Sequence, residues 1–370
     1  MEENKKIEFI ATIEKEIAKI NNKENNIYFF VLDTKGVPSG SLAYIYETAY
    51  YLQEIGYQVK MLHIEDEFVG VGEWMGEKYA QIPHINSEKE TVTLSFSDLL
   101  IVPEVFANVL NQTKLSPCKR VVLLQNFPYI SEFMPVNAQW GDYKIMDAIT
   151  TSNQLSNMLH EIFPYVKTKV VQPAIAPCFR DSDEPKEIGI NIVCRNPNDF
   201  HKIVKPFYWS YPMYKFVSFY HLSGLPREVT ADTMRKHPIT IWWDVETGFG
   251  YAALEAIKSG SIVIGKRPDV IPEWMTEETE EGTRLLDNGI WFDSLPELYR
   301  IIASVVNTWL NDAVPEQLIS EMKKTAEKYT VEENHKQIEE VYGGYINSRR
   351  IELVNLLAEL EKENNNTKTE

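Results

Sequence analysis

From residue 27 onward the chain repeats one pattern: a short apolar run, a polar or glycine-bearing loop, then a stretch with helical periodicity. Residues 27–32 are continuously apolar, the loop 33–41 follows, and the helical stretch 42–55 closes at Gly56. An apolar run without polar alternation reads as a parallel strand covered on both faces, since a strand with one wet face alternates. The unit recurs at 58–64, at 99–102 ahead of Pro103 and Glu104, at 120–124 ahead of Gln125 and Asn126, at 148–150 ahead of a helix 154–163, and at 169–171. Parallel strands need crossover helices, so the expected fold is α/β with a doubly wound sheet and ligands at the strand carboxyl ends.

The pattern stops around 172–185, where Pro173, Pro177 and Pro185 mark a linker. A second series follows, with strands at 188–193, 214–219, 239–243 and 262–264 and helices at 226–236 and 251–259. After Asp293 the chain reads as helical at 295–310, 315–329 and 331–361, and the polar residues 362–370 are expected to be disordered. A length of 370 residues with 44% hydrophobic content supports two such cores. The expected partition is therefore 1–172, a leading helix plus a Rossmann-like domain; 173–345, a second Rossmann-like domain; and 346–370, a C-terminal helix and tail. In the leading segment Ile10, Ile13, Ile17 and Ile20 share one helical face, which serves either packing on its own domain or docking of a partner.

Charge and cysteines narrow the function classes. A formal charge of -17 repels a polyanion, so nucleic acid is not an expected partner. Cys118, Cys178 and Cys194 form no CxxC and have no histidine at ligand spacing, and read as reduced core thiols. The N-terminus lacks a signal-peptide pattern and no run of 18 apolar residues occurs, so the expectation is a cytoplasmic protein. Asp181 and Asp183 have a D-x-D spacing, but in the proline-rich linker rather than at a strand end, so no metal is expected there.

The most informative segment is 242–264. An apolar run ends in Gly248, Phe249 and Gly250 and passes into a helix, so glycines that let a ligand approach backbone amides stand at a helix N-terminus that favours anionic oxygens. Glu255, about one turn into that helix, is a carboxylate suited to accepting both hydrogens of a ribose diol. A glycine-rich strand-to-helix turn with a surface glutamate is also a common structural feature. Of Trp242 and Trp243, adjacent in a strand, at least one must face the core.

The segment 248–256, GFGYAALEA, followed by GSIVI at 260–264 and by Pro272 and Glu273, resembles the second-domain signature of retaining GT-B glycosyltransferases of the group 1, family 4 type. The first glycine loop and helix at 36–51, the strand 98–104, the crossover 174–179 and Arg195 after a strand fall in matching order, so the resemblance spans about 27–340. It implies two Rossmann-like domains, a nucleotide-diphosphate sugar held by the second, an acceptor hydroxyl held by the first, closure of the cleft between them, and no metal cofactor. Arg195 and Lys202 match the basic pair that neutralises the departing diphosphate, and Glu255 the ribose carboxylate. Gly248, Phe249 and Gly250 match the donor-binding turn, and Gly40 and Ser41 the first-domain loop. The histidine common in the first-domain cleft is replaced at the corresponding strand end by Gln125 and Asn126, which become the acceptor-side candidates. The family's first motif glutamate is Thr247 here, with Glu246 one residue earlier as its candidate substitute. His221, after a second-domain strand, either faces the donor or is structural. Lys266 and Arg267 stand where the family has small residues. Phe127, Tyr129, Phe133 and Trp140 either cover the acceptor or anchor their own loop. The expected function is a retaining, metal-independent glycosyltransferase; the alternatives are a non-catalytic sugar-nucleotide-binding subunit and a nucleotide-sugar epimerase.

Overall fold

The structure, a computed structural model, describes residues 2–244, 248–279 and 282–367. It divides into two compact units, one built from 2–72, 76–172 and 335–367, the other from Glu73–Met75 and Pro173–Asn334.

The first unit carries β1 (Asn26–Phe30), β2 (Gln58–His63), β3 (His84–Asn86), β4 (Leu99–Pro103), β5 (Lys119–Leu124), β6 (Asp147–Thr150) and β7 (Lys167–Val170). All pair in parallel, in the order β3-β2-β1-β4-β5-β6-β7. The apolar runs are strands because both faces are covered: Phe29, Ile101, Val121, Val122 and Leu123 are fully buried. The order reverses between β1 and β4, and the loops leaving these two strands diverge there to opposite faces, opening a crevice.

The second unit has β8 (Gly189–Cys194), β9 (Ser218–His221), β10 (Ile239–Trp243), β11 (Ile262–Lys266), an antiparallel pair β12 (Thr276–Thr279) and β13 (Gly282–Leu285), and β14 (Ile290–Phe292). Its main sheet is parallel, ordered β14-β11-β10-β8-β9, so the reversal falls between β8 and β10. Alternate residues feed two cores. Ile190, Ile192, Ile239, Ile241, Ile262 and Ile264 enter one, and Trp242 and Val263 the other. A polar ladder crosses the buried strands: Asn191 Nδ2 donates to Thr240 Oγ1 (3.2 Å), which lies 2.7 Å from Ser261 Oγ. Each member has a partner, so burial costs little.

Both doubly wound sheets are therefore present as expected, and Leu295–Leu310 is a helix over the expected residues. Besides the strands β3, β12, β13 and β14, which were not expected, four differences are found. The strand expected at 214–219 begins only at Ser218, as β9, because the 3-10 turn Pro212–Tyr214 and the turn and bend that follow it take up 214–217. A helix not foreseen, Pro197–Ser210, contains Pro206. That proline has no N–H for the Lys202 carbonyl, and Tyr299 Oη donates to it instead at 2.8 Å. The last helix, Val331–Thr367, runs into the tail expected to be disordered.

The fourth difference is the partition: residues 335–367 belong to the first unit, not to 173–345 and a separate 346–370 segment. Tyr342, Tyr345, Ile346 and Leu353 are buried, and Tyr345 Oη donates to Ala148 O (3.2 Å). Arg349 donates to the carbonyls of Phe96 (2.7 Å) and Pro117 (2.6 Å). The leading helix, Glu2–Asn21, buries Ile13, Ile20 and Glu16, and Ser97 N donates to Glu16 Oε2 (3.1 Å). No helix among the described residues is long and apolar enough to cross a membrane.

Candidate functional site

In the second unit the reversal between β8 and β10 puts Arg195 and Asp244, each the first residue past its strand, side by side. Arg195 Nη2 lies 3.1 Å from Asp244 Oδ2, with the arginine side chain 58% exposed. Lys202, in the helix that follows β8, reaches Asp199 Oδ1 at 2.7 Å. That helix is capped by Asn196, whose side chain accepts from Asn198 N (2.9 Å). Two exposed cations beside a helix N-terminus make an anion-seeking strand end. Exposed ion pairs of this kind contribute only about 0–1 kcal/mol, so a doubly charged ligand can compete with both carboxylates.

His221, at the end of β9, turns toward the end of β8: its Nε2 is 3.3 Å from Cys194 Sγ and 3.4 Å from Cys194 O. It thus belongs to the strand-end group containing Arg195, with that nitrogen engaged by protein atoms. Burial pushes the Cys194 thiol up to about 11, so it stands there as a neutral thiol at neutral pH.

Gly250 caps the helix Tyr251–Lys258 at φ 81°. A Cβ there would sit 3.0 Å from the Trp242 ring, so conformation and space both require glycine. Phe249 is not presented to a ligand. Its ring lies in the core, edge-on to Tyr251 and Tyr329 (5.1 Å each), and its carbonyl accepts from Trp274 Nε1 at 2.6 Å. What the turn offers is backbone. Glu255 is half-buried in the helix, with a carboxylate near enough to the Cys178 thiol to raise it, after burial and Glu228. Glu246 and Thr247 lie outside the described residues.

Trp242 is the core member of its pair, 1% exposed, and Trp243 is half-buried with Lys266 Nζ 4.6 Å from its ring centroid. Arg267 pairs with Asp293 at 3.5 Å. In the linker, Asp181 pairs with Lys186 at 3.3 Å.

In the first unit, Gly40 and Ser41 open the helix Gly40–Glu54 and are exposed behind the cap residue Ser39. Gln125 Nε2 donates to Ser41 O (3.1 Å), so the two expected acceptor-side segments meet. What joins them to the next strand is Glu104, immediately after β4. It is 2% exposed, and its Oε1 accepts from Gln125 N (3.2 Å) and Asn126 N (2.7 Å). Burial pushes Glu104 up to about 7 even though those N–H groups favour the carboxylate. Asp33, after β1, accepts from Lys35 N and Val69 N at 3.0 Å each. Burial acts to raise its carboxyl, but these bonds and the Lys35 ammonium outweigh that and hold it below the usual range. The segment read as an aromatic loop starts as a helix, Phe127–Phe133, whose Phe127 packs on the core and whose Phe133 is exposed; Trp140, in the later 3-10 turn Trp140–Tyr143, is fully buried. Glu104 and Asp244 are the residues sequence reasoning did not single out; their signal was a carboxylate directly after an apolar run.

Two Rossmann-like units with strand-end crevices define the GT-B type of architecture. No family model matches the chain. A curated relative, an alpha-1,6-glucosyltransferase of Actinobacillus pleuropneumoniae serotype 7, is 27% identical over 180 residues, which is 48% of this chain. The chain spans about half of that relative, the match covering 54% of its length. Among solved structures, sucrose-phosphate synthase from Thermosynechococcus elongatus is similar over 88% of this chain and all of its own, with TM-score 0.59 and 11% identity. Anabaena HepE in complex with UDP-glucose is similar over 86% of this chain and 99% of its own (0.60, 12%). A glycosyltransferase from Rickettsia africae is similar over 87% and 98% (0.60, 12%). At these identities the likeness establishes the fold, which is the one the sequence resemblance implied.

Proposed function

We propose that this chain is a glycosyltransferase that moves a sugar from a nucleotide diphosphate to an acceptor hydroxyl, with retention and without a metal. The observation that carries the reading is the second unit's strand-end group, where Arg195, the helix N-terminus at Asn196 and the Gly248–Gly250 backbone offer positive charge and free geometry for a diphosphate. The curated relative's name and the UDP-glucose held by HepE support the donor class.

In the reaction the bond from the anomeric carbon to the diphosphate oxygen breaks, and the acceptor oxygen bonds that carbon on the face the leaving group vacates. The acceptor's proton passes to the departing phosphate oxygen. Negative charge grows on the diphosphate, and Arg195 and Lys202, drawn from their carboxylate partners to the ligand, stabilise it there. Glu255 grips the ribose. On the acceptor side, Glu104 holds the Gln125–Asn126 strand end and Gln125 holds the Ser41 loop, so the acceptor meets a fixed edge.

The test is incubation with UDP-, GDP-, ADP- and TDP-sugars in EDTA, following thermal stabilisation and nucleotide release together. One nucleotide family should stabilise the protein and be turned over slowly, Glu255→Ala should lose the stabilisation, and Arg195→Ala should cut turnover about 10²–10³-fold. If no nucleotide moves the melting temperature, the donor site is wrongly assigned. An isomerised donor formed with neither an acceptor product nor net nucleotide release would instead indicate an epimerase.

A further inference from the structure

The second unit carries a surface that sugar transfer leaves unused. Residues 200–221 contain nine aromatic residues and no aspartate or glutamate, and besides Lys202 of the strand-end group they hold two lysines, Lys205 and Lys215. With 54 acids in the chain, a stretch of 22 residues would at the average hold about three. Within eight of these residues, three large apolar side chains stand in solvent: Trp209 is 75% exposed, Met213 64% and Phe216 55%. Lys205 and Lys215 are exposed beside them. The acids at this end of the unit lie on other segments: Glu187 precedes β8 and by register falls opposite Phe216, Asp312 is in the turn after helix Leu295–Leu310, and Glu316 opens the next helix.

The exposed side chains stand on a rigid base. Phe207 is fully buried and stacks on Tyr211 (5.5 Å) and Tyr214 (6.0 Å), while Tyr208 Oη donates to Val217 O at 2.6 Å. Holding three apolar side chains out of a packed aromatic cluster exposes more contiguous apolar surface than scattered surface residues do. Topology fixes where this surface lies. The helix Pro197–Ser210 leaves the carboxyl end of β8 and the chain re-enters at the amino end of the parallel strand β9. The Trp209–Phe216 connection is thus at the end of the sheet opposite Arg195 and His221, where a flat partner leaves the strand carboxyl ends open.

We propose that this connection is a docking surface for an anionic lipid bilayer. Tryptophan and tyrosine settle at the headgroup level with their polar edges outward, and aliphatic and phenyl side chains reach the acyl boundary. Lysines on a stretch that itself carries no acid are drawn to an anionic leaflet, each contributing about a fivefold gain in binding. The local absence of acids in a chain of net charge -17 is the charge complementarity that favours anionic lipid as the occupant. The inference is independent of the donor-site reading.

The experiment is co-sedimentation of the full chain with vesicles of phosphatidylcholine alone and with 30% phosphatidylglycerol, at low and high salt, beside Trp209→Ser/Phe216→Ser and Lys205→Glu/Lys215→Glu. The expected result is binding to the anionic vesicles that weakens in salt and falls at least tenfold in both variants. All of the substituted side chains are exposed, and melting temperature without lipid checks that each variant is folded. The lysine pair, outside the aromatic cluster, gives a second arm should the aromatic variant fold poorly. The proposal is overturned by failure to bind either vesicle, by binding unchanged in the variants, or by concentration-dependent self-association that Trp209→Ser/Phe216→Ser abolishes, which would give the surface to a second copy of this chain.

Discussion

Glu104 shows what one buried group does to the whole chain's response to pH. Its folded carboxyl keeps its proton up to about 7, against 4.5 for the ordinary side chain, so the folded state binds the extra proton between those values. Stability therefore falls as pH rises through that window, by on the order of 3 kcal/mol from this group, and the whole penalty is present above pH 7. Glu104→Gln keeps an acceptor for Gln125 and Asn126 without the buried charge. Its melting temperature should exceed wild type at pH 8 and converge with it near pH 4.5, as differential scanning calorimetry would show; equal offsets at both pH values would refute the account. Gly250 acts through geometry. Gly250→Ala puts a side chain in the left-handed region and against Trp242, and should cost about 1–3 kcal/mol in urea unfolding together with loss of stabilisation by nucleotide. At this scale the sequence was legible where residue type and position coincided. Gln125 was placed at its strand end and meets Ser41, and Gly250 was placed at a turn only glycine can make. The Phe249 ring lies in the core, which the motif could not reveal because nothing in it tells a core ring from a presented one, so only the backbone of that residue is left for a ligand. Glu104 was passed over because burial, which gives it its character, is a property of the packed chain.

Among the elements, buried parallel strands were legible because continuous apolar runs have few other uses, and β10 matches its expected limits. The helix Pro197–Ser210 was not, since Pro206 reads as a breaker until the partner that accommodates it is known. That partner is Tyr299, whose hydroxyl serves the carbonyl the proline leaves open. Removing it by Tyr299→Phe should lower stability by about 1 kcal/mol, seen in chemical denaturation, with faster hydrogen exchange around Lys202. If stability and exchange are unchanged, the Lys202 carbonyl is served by water. The C-terminal helix is tied down by side chains as well. Arg349→Ala removes donors to two loop carbonyls and should accelerate proteolysis within 335–367 while leaving nucleotide stabilisation intact.

On the scale of the molecule, the two sheets reverse at different places, between the first and fourth strands of one and the first and third of the other. Each crevice is built by a different pair of loops, and the proposed roles follow that division. The second unit presents cations to a leaving group, and the first presents uncharged amides and a buried carboxyl. If cations alone neutralise the diphosphate, turnover should survive EDTA within about twofold; restoration by added Mg²⁺ after loss in EDTA would reject the metal-free reading.

The return of residues 335–367 to the first unit also sets an order of events during synthesis. Most of the first unit precedes Pro173, yet Tyr342, Tyr345 and Leu353, which complete its packing, emerge from the ribosome after the whole second unit. The second unit, nearly continuous from Pro173 to Asn334, is available for folding before them. The domain that starts first is thus finished last, and the nascent chain carries an incomplete N-terminal unit until its closing helix is released.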